Sequence, residues 1–548
     1  MKIALAQLNY HIANFEGNSK KIINSIQKAK EGGADLVIFS ELSVTGYYPN
    51  DLLEREEFVE KAEKTIHEIA GHCTGIAALV GGPSINNGQR GKQLHNSAWF
   101  LKDGKVSALR HKTLLPTYDI FDEYRHFEPN NEFKLIEYKG EKLAVTICED
   151  IWDEQPAANK FAKEKLYSVS PLEELSKLDP DIIINLSASP FSYNQENQRK
   201  NILLKNAKKY HLPIAYVNQT GANTELIFDG GSCFINANGE ICTEMSYFKE
   251  DFQIIDTDNP PVIKQSKTDV IGKIHQALIL GIRDYFFKSN LHDAVLGLSG
   301  GIDSALVCAL AVEALGSEHV RGILMPSVYS SDHSIADAVQ LSKNLNIKYD
   351  IIKIQPMVYE FEKQLKPLFK GLALGVAEEN IQARTRGVLV MAVSNKFGSI
   401  LLNTTNKSEC AVGYGTLYGD MNGGLAVIAD LYKTDVYRLS NYINREKEII
   451  PQNSITKAPS AELRPDQKDT DSLPDYDTLD AILFKYIEQN QSPKEITETG
   501  FDEKTVTKIS RMVNKNEYKR FQAAPILRIS SKAFGFGRKI PIVAKFRY

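Results

Sequence analysis

Leu296-Gly297-Leu298-Ser299-Gly300-Gly301-Ile302-Asp303-Ser304 stands between two apolar runs. Ala294, Val295 and Leu296 lead into it, and Ala305, Leu306, Val307, Ala309, Leu310 and Ala311 follow, a pattern that predicts strand, tight loop, helix. Gly300 and Gly301 let the backbone turn successive N–H groups toward one point at the positive end of the new helix. Ser299 and Ser304 add hydroxyl donors, and Asp303 places a carboxylate where a phosphate-bound Mg²⁺ needs one. The lysine-bearing pattern Gly-x-x-x-x-Gly-Lys-Ser/Thr is absent, which excludes a kinase-like phosphate loop.

Outward from this loop the second half alternates strand and helix. An amphipathic helix spans Ile271–Phe287; strands are expected at Val320–Met325, near Tyr349–Ile354 and at Ser399–Asn403, with helices from Ser334 and around Glu378–Phe397. This alternation argues a doubly wound parallel sheet with ligands beyond the carboxyl ends of its strands.

At 548 residues the chain is too long for one core. We read residues 1–250 as one domain, 251–269 as a connection rich in acids and prolines, and 270–548 as a second domain. The composition, 43% hydrophobic and 24% charged, is that of a globular protein, and the net charge of −4 gives no bulk attraction for nucleic acid or an anionic membrane. No membrane-length apolar run or leader pattern is read, so a cytoplasmic location is expected. Cysteines 73, 148, 233, 242, 308 and 410 show no metal-ligand spacing.

In the first half a strand over Met1–Asn9, a helix capped by Asn18 and a strand over Asp35–Phe39 place Glu41 just past a strand end. A helix through Leu52–His72 and short strands lead to the Asp103-Gly104 turn, and beyond it lies Arg110-His111-Lys112-Thr113-Leu114-Leu115-Pro116-Thr117-Tyr118. A strand over Leu143–Ile147 ends in Cys148-Glu149-Asp150-Ile151-Trp152. An acid, an ammonium and a thiol so placed can perform acyl transfer: the thiol attacks, the ammonium stabilises the oxyanion, and the carboxylate relays the proton.

These three segments resemble the Glu, Lys and Cys segments of the nitrilase superfamily of carbon-nitrogen hydrolases. The resemblance implies a four-layer α-β-β-α sandwich, with Glu41 as general base, Lys112 as oxyanion stabiliser and Cys148 as nucleophile. It also implies a substrate-positioning acid at Glu123 and glutamine contacts at Tyr118, Ser189 and position 195. Gln195 departs from the family's usual Lys or Arg and cannot supply charge.

Ser-Gly-Gly-Ile-Asp-Ser resembles the pyrophosphate loop of N-type ATP pyrophosphatases. With Glu379-Asn380-Ile381-Gln382-Ala383-Arg384, Asn403-Thr404-Thr405-Asn406-Lys407-Ser408-Glu409, Gly413–Asp420 and Pro459–Pro465, residues 270–548 resemble NAD synthetases. That resemblance implies ATP contacts from Gly297, Leu298, Ser299, Gly300, Gly301, Ile302, Asp303, Ser304 and Thr404. It implies Mg²⁺ at Asp303 and Glu409, and deamido-NAD contacts from Asn380, Glu409 and Lys519, which leaves Glu409 two candidate roles. The two resemblances together imply ammonia released from glutamine and delivered to an adenylated nicotinate carboxylate. The expected partners are small molecules and further copies of the chain, with no nucleic acid or membrane. The alternatives of an RNA-modifying enzyme and a non-catalytic scaffold are disfavoured by the acidic balance and by intact Glu41, Lys112, Cys148 and Asp303.

Overall fold

The computed structural model describes residues 1–152, 166–194, 196–263, 269–465 and 467–545. The chain divides into two compact units between residues 268 and 269.

The first unit contains β1 Lys2–Gln7, β2 Leu36–Ile38, β3 Ala77–Ile85, β4 Leu94–Lys102, β5 Lys105–His111, β6 Ile136–Tyr138, β7 Glu141–Ile147, β8 Ile182–Ser187, β9 Ile214–Asn218, β10 Thr220–Asn223, β11 Leu226–Asp229, β12 Cys233–Ile235, β13 Ile241–Glu244 and β14 Asp251–Asp256. One six-stranded sheet runs β14-β1-β2-β3-β4-β5 and another β13-β12-β9-β8-β7-β6, with β10 and β11 as a separate pair. Strand alternation assigns each side chain to a layer. Ile3 and Leu5 of β1 join Ile38, Leu79 and Phe100 against Leu143, Ile184 and Val217 in the core between the sheets. Ala4 and Ala6 point the other way, into the core formed with helices α1 Phe15–Glu31 and α2 Glu56–Ala70. Helices α3 Pro171–Ser176 and α4 Glu196–Tyr210 cover the outer face of the second sheet through Leu172, Leu175, Leu203 and Ala207. The result is the α-β-β-α sandwich.

Four local expectations shift. Asn14, not Asn18, caps α1, its side chain accepting from Gly17 N–H. Asn18 is buried within α1 and satisfies the loops beside it: it accepts from His11 N–H and donates to the His11 and Val44 carbonyls. The helix expected over Leu52–His72 splits at Arg55, whose extended backbone separates a 3₁₀ turn, Asn50–Glu54, from α2. The strand β5 follows the Asp103-Gly104 turn and pairs with β4. Residues 251–256, read as connection, form β14, the edge strand antiparallel to β1.

The second unit holds β15 Ala294–Gly297, β16 Val320–Leu324, β17 Lys348–Ile351, β18 Ile400–Asn403 and β19 Leu425–Ala426, in the order β17-β16-β15-β18-β19 with every pair parallel. The order reverses between β15 and β18, the point where doubly wound sheets open a ligand crevice. Helix α6 Ile302–Leu315 packs on this sheet, and helix α5 Val270–Lys288 packs against α6. A helical layer with Leu479, Leu483, Val506 and Ile509 at its centre forms a further core. Lys407, fully buried, is surrounded by Asp430 at 2.9 Å, Glu488 at 2.9 Å, Ser530 Oγ at 2.7 Å and the Lys532 carbonyl at 3.0 Å. Among the described residues no helix is long and apolar enough to cross a membrane.

Candidate active sites

In the first unit the turns after β2, β5 and β7 deliver Glu41, Lys112 and Cys148 to one place. Lys112 and Glu41 are 0% exposed, and the Lys112 ammonium lies 2.7 Å from Glu41 Oε1 and 2.8 Å from the Glu123 carboxylate. Asn96 Nδ2 donates to Glu41 Oε1 at 2.7 Å, Ala188 N–H donates to Glu41 Oε2 at 3.1 Å, and Tyr47 OH donates to Glu123 at 2.8 Å. Every oxygen of Glu41 is therefore aimed by a donor. Burial opposes charge on Lys112, but Glu123 and Glu41 outweigh it and hold the ammonium well above its usual range. Burial, then the Glu41 charge, pushes the Cys148 thiol well above its usual range, and Lys112 pulls the other way. The resting group is a thiol beside its base. Cys148 sits at φ 44°, a left-handed conformation uncommon for a side-chain-bearing residue. Asp150 fixes that turn, its carboxylate accepting from the N–H groups of Thr113, Leu114 and Ile147 at 2.8–3.0 Å. It thereby ties the lysine segment to the cysteine segment.

Glu149, the next residue after Cys148, accepts from Tyr118 OH and Tyr167 OH, each at 2.8 Å. Burial raises it to about 7, against the pull of the Tyr118 hydrogen bond. The same carboxyl titrates near about 4.3 in an unfolded chain. Across that window the folded state binds the additional proton, so this group makes stability fall as pH rises from 4 through 7. Glu149→Gln keeps an acceptor for both tyrosines and removes the titration. Its melting temperature is expected to gain on wild type between pH 5 and pH 8, a trend read by thermal unfolding across that range.

In the second unit the loop between β15 and α6 opens into a cleft of about 330 Å³, lined by Gly297–Ser299, Gly301–Ser304, Thr404, Glu409 and Lys433 among others. Gly300 has φ 80°, and a Cβ there would stand 2.1 Å from the Ser334 carbonyl oxygen. Ser454 Oγ donates to the Gly300 carbonyl at 2.9 Å, and Ser299 Oγ accepts from Gly301 N–H at 3.2 Å. Gly300→Ala is expected to destabilise this unit by about 2 kcal/mol or more. Comparing melting temperatures with and without ATP checks it: the variant should melt lower and show a smaller ATP-induced gain.

Asp303 accepts from Asn406 Nδ2 at 2.9 Å through one oxygen and from the Lys433 ammonium through the other. Burial first, and then the Asp303 charge, raise Glu409 well above its usual range, with Lys433 opposing. Both carboxylates line the same cleft.

A carbon-nitrogen hydrolase family model matches residues 2–263, and an NAD synthase family model matches residues 274–523. The glutamine-dependent NAD(+) synthetase of Synechocystis sp. is 47% identical over 99% of this chain and 99% of its own. The chain belongs to the glutamine-dependent NAD(+) synthetase family. The family member from Thermotoga maritima is 41% identical over 100% of this chain and 99% of its own. The solved structure of the glutamine-dependent NAD+ synthetase from Acinetobacter baumannii, in complex with adenosine diphosphate, is 40% identical, with a TM-score of 0.78 over 99% of this chain and 98% of that one.

Within this family member, the structure brings together Glu41, Lys112, Glu123 and Cys148, and separately the loop, Thr404 and Glu409. Tyr118 reaches the first group through Glu149, and Ser189 stands at the end of β8, its N–H donating to Asn218 Oδ1 at 2.8 Å. Asn380 and Lys519 do not line the cleft. Asn380 Oδ1 accepts from Thr416 Oγ1 at 2.7 Å, and Lys519 donates to the Gly413 and Gly415 carbonyls at 2.8 and 2.7 Å. Both therefore meet on the 413–416 segment that follows Glu409. Gln195 lies outside the described residues.

Sequence reasoning missed Asn96, Tyr47, Asn406 and Lys433. Lys433 left a signal: it opens the helix Lys433–Ile443, where the dipole disfavours a cation, and is 2% exposed there. A lysine buried at the wrong end of a helix needs a carboxylate, and Asp303 supplies it.

Proposed function

We propose that this chain makes NAD from deamido-NAD, drawing nitrogen from the side-chain amide of glutamine and activation from ATP. The observation that carries the reading is that one chain holds both a buried Glu41–Lys112–Cys148 group in its first unit and a pyrophosphate-type loop at the sheet reversal of its second.

In the first unit the Cys148 sulfur attacks the glutamine amide carbon while Glu41 takes the thiol proton. Lys112 Nζ stabilises the developing oxyanion, and Glu41 returns the proton to the departing nitrogen as NH₃. The γ-glutamyl thioester is then opened by water, with Glu41 again as base, giving glutamate and the free thiol. Glu123 is a positioning residue: it holds Lys112 together with Glu41 and is itself fixed by Tyr47. The aromatic Tyr118 and the Ser189 turn frame the glutamine.

In the second unit the nicotinate carboxylate attacks the α-phosphorus of ATP, and pyrophosphate leaves toward the loop N–H groups and the N-terminus of α6. Ammonia then attacks the acyl carbon, and AMP leaves with the adenylate oxygen. The family implies Mg²⁺, and the carboxylates of Asp303 and Glu409, which line one cleft, fit a divalent cation. Bound there, it supplies Lewis-acid neutralisation of the phosphates. Lys433, already on Asp303 and lining the same cleft, is the second positive charge available to the phosphates. Asn380, Lys519 and the 413–416 segment shape the neighbouring deamido-NAD subsite.

A product assay with glutamine, and with ammonium chloride in parallel, tests this. AMP and pyrophosphate should appear in equal amounts with NAD from either nitrogen source. Stoichiometric ADP and orthophosphate would overturn the reading.

A further inference from the structure

The 3₁₀ turn Asn50–Glu54 carries Asp51 and Glu54, and with three residues per turn these two carboxylates stand one above the other on the same face. Into that face points His126, which follows the turn Glu123–Arg125. The residue is 8% exposed, and its Nε2 makes no hydrogen bond. Nε2 lies 3.5 Å from Asp51 Oδ1 and 3.7 Å from Glu54 Oε1. On the other ring edge Nδ1 is 2.7 Å from the buried Tyr48 hydroxyl. A buried imidazole nitrogen is thus aimed between two acids and held in orientation from behind.

We propose that Asp51, Glu54 and His126 form a binding site for a divalent transition ion of the Zn²⁺ class. With ligand distances of about 2.0–2.2 Å, tetrahedral donors stand about 3.4 Å apart, close to both spacings from Nε2. The three donor atoms lie within 4.8 Å of one another, and the two carboxylates are on exposed side chains that can close the remaining gap. Imidazole plus two carboxylates, with a position open to water, suits Zn²⁺ better than the all-oxygen cations Mg²⁺ and Ca²⁺. Binding through Nε2 leaves the proton on Nδ1, which then donates to Tyr48, the outer contact that fixes ligating histidines. One cation already samples this field: Arg125 Nη2 lies 3.1 Å from Asp51 Oδ1 and 3.3 Å from Glu54 Oε1, on a side chain half exposed and free to swing away. The ion competes with Arg125 for the same two oxygens.

The site is not part of the glutamine chemistry, but it shares a turn with it. His126 N–H donates to the Glu123 carbonyl at 3.1 Å, and Glu123 holds Lys112. An ion at Asp51, Glu54 and His126 therefore clamps the turn that positions the oxyanion lysine.

Full-length protein stripped with a chelator and titrated with Zn²⁺ against a chromophoric competitor tests the proposal, with Co²⁺ absorbance reporting coordination. Wild type should bind one equivalent that Asp51→Asn/Glu54→Gln, substituted only at exposed positions, loses together with its tetrahedral Co²⁺ band. Tyr48→Phe should weaken that equivalent about tenfold. Arg125→Ala should tighten it, the sign that separates an ion competing with the guanidinium from general surface binding. Equal stoichiometry in wild type and the double variant, or an Arg125→Ala protein that binds no more tightly, would overturn the site.

Discussion

Cys148→Ala is expected to lower glutamine-driven NAD formation by about a million-fold, the scale of removing a nucleophile from a hydrolytic group that acts as a unit. With concentrated ammonium at mildly alkaline pH the same variant should make NAD at close to the wild-type rate, because Cys148 belongs to the first unit and does not line the cleft of the second. Parallel assays with the two nitrogen sources, alongside direct measurement of glutamate release, check this. Retained glutamine hydrolysis would remove Cys148 from its role, and loss of both activities in a folded variant would show the two chemistries to be obligately coupled. Lys112→Ala shares the loss of glutamine use but differs in stability. It leaves the carboxylates of Glu41 and Glu123 facing each other with no exposure and no counter-charge, so it should melt well below Cys148→Ala.

Asp303→Asn reverses the pattern. Glutamine hydrolysis should persist, while synthesis from either nitrogen source falls on the order of a thousand-fold, the equivalent of several kcal/mol of lost charge stabilisation. The amide cannot supply the negative charge a divalent cation needs. It also strands Lys433, 2% exposed, with its principal partner neutralised. Pyrophosphate release measured over a Mg²⁺ series reads the effect. Near-normal synthesis at limiting Mg²⁺ would take Asp303 out of the cation site.

What the sequence disclosed depended on how locally each signal was written. The glycine loop could be read because strand, turn and helix lie within one short stretch whose residue types each have a physical reason. Glu41, Lys112 and Cys148 stood out because each follows a strand and its neighbours resemble known segments. The edge strand β14 stayed hidden because its pattern, half exposed and punctuated by acids, is that of a loop until β1 is known to lie beside it. Asn18 was misread because an asparagine near a helix start suggests a cap, whereas its partners, His11 and Val44, belong to other segments. Asn96, Tyr47 and Lys433 act on catalytic groups from 27 to 130 residues away in sequence, and no local pattern announces such a pairing.

The buried ammonium of Lys407 joins the end of the chain to its chemistry. The family match stops at residue 523, yet Asp430, one of the carboxylates answering Lys407, is itself held by the N–H groups of Ile529 and Ser530 and by Ser530 Oγ. Lys407 directly follows Asn406, which holds Asp303. During synthesis on the ribosome the second unit therefore cannot reach its final packing, nor Asp303 its final setting, until the chain beyond Lys532 has emerged. A nascent chain halted at residue 523 holds every residue of the ATP loop and still lacks the Ile529 and Ser530 donors that settle Asp430.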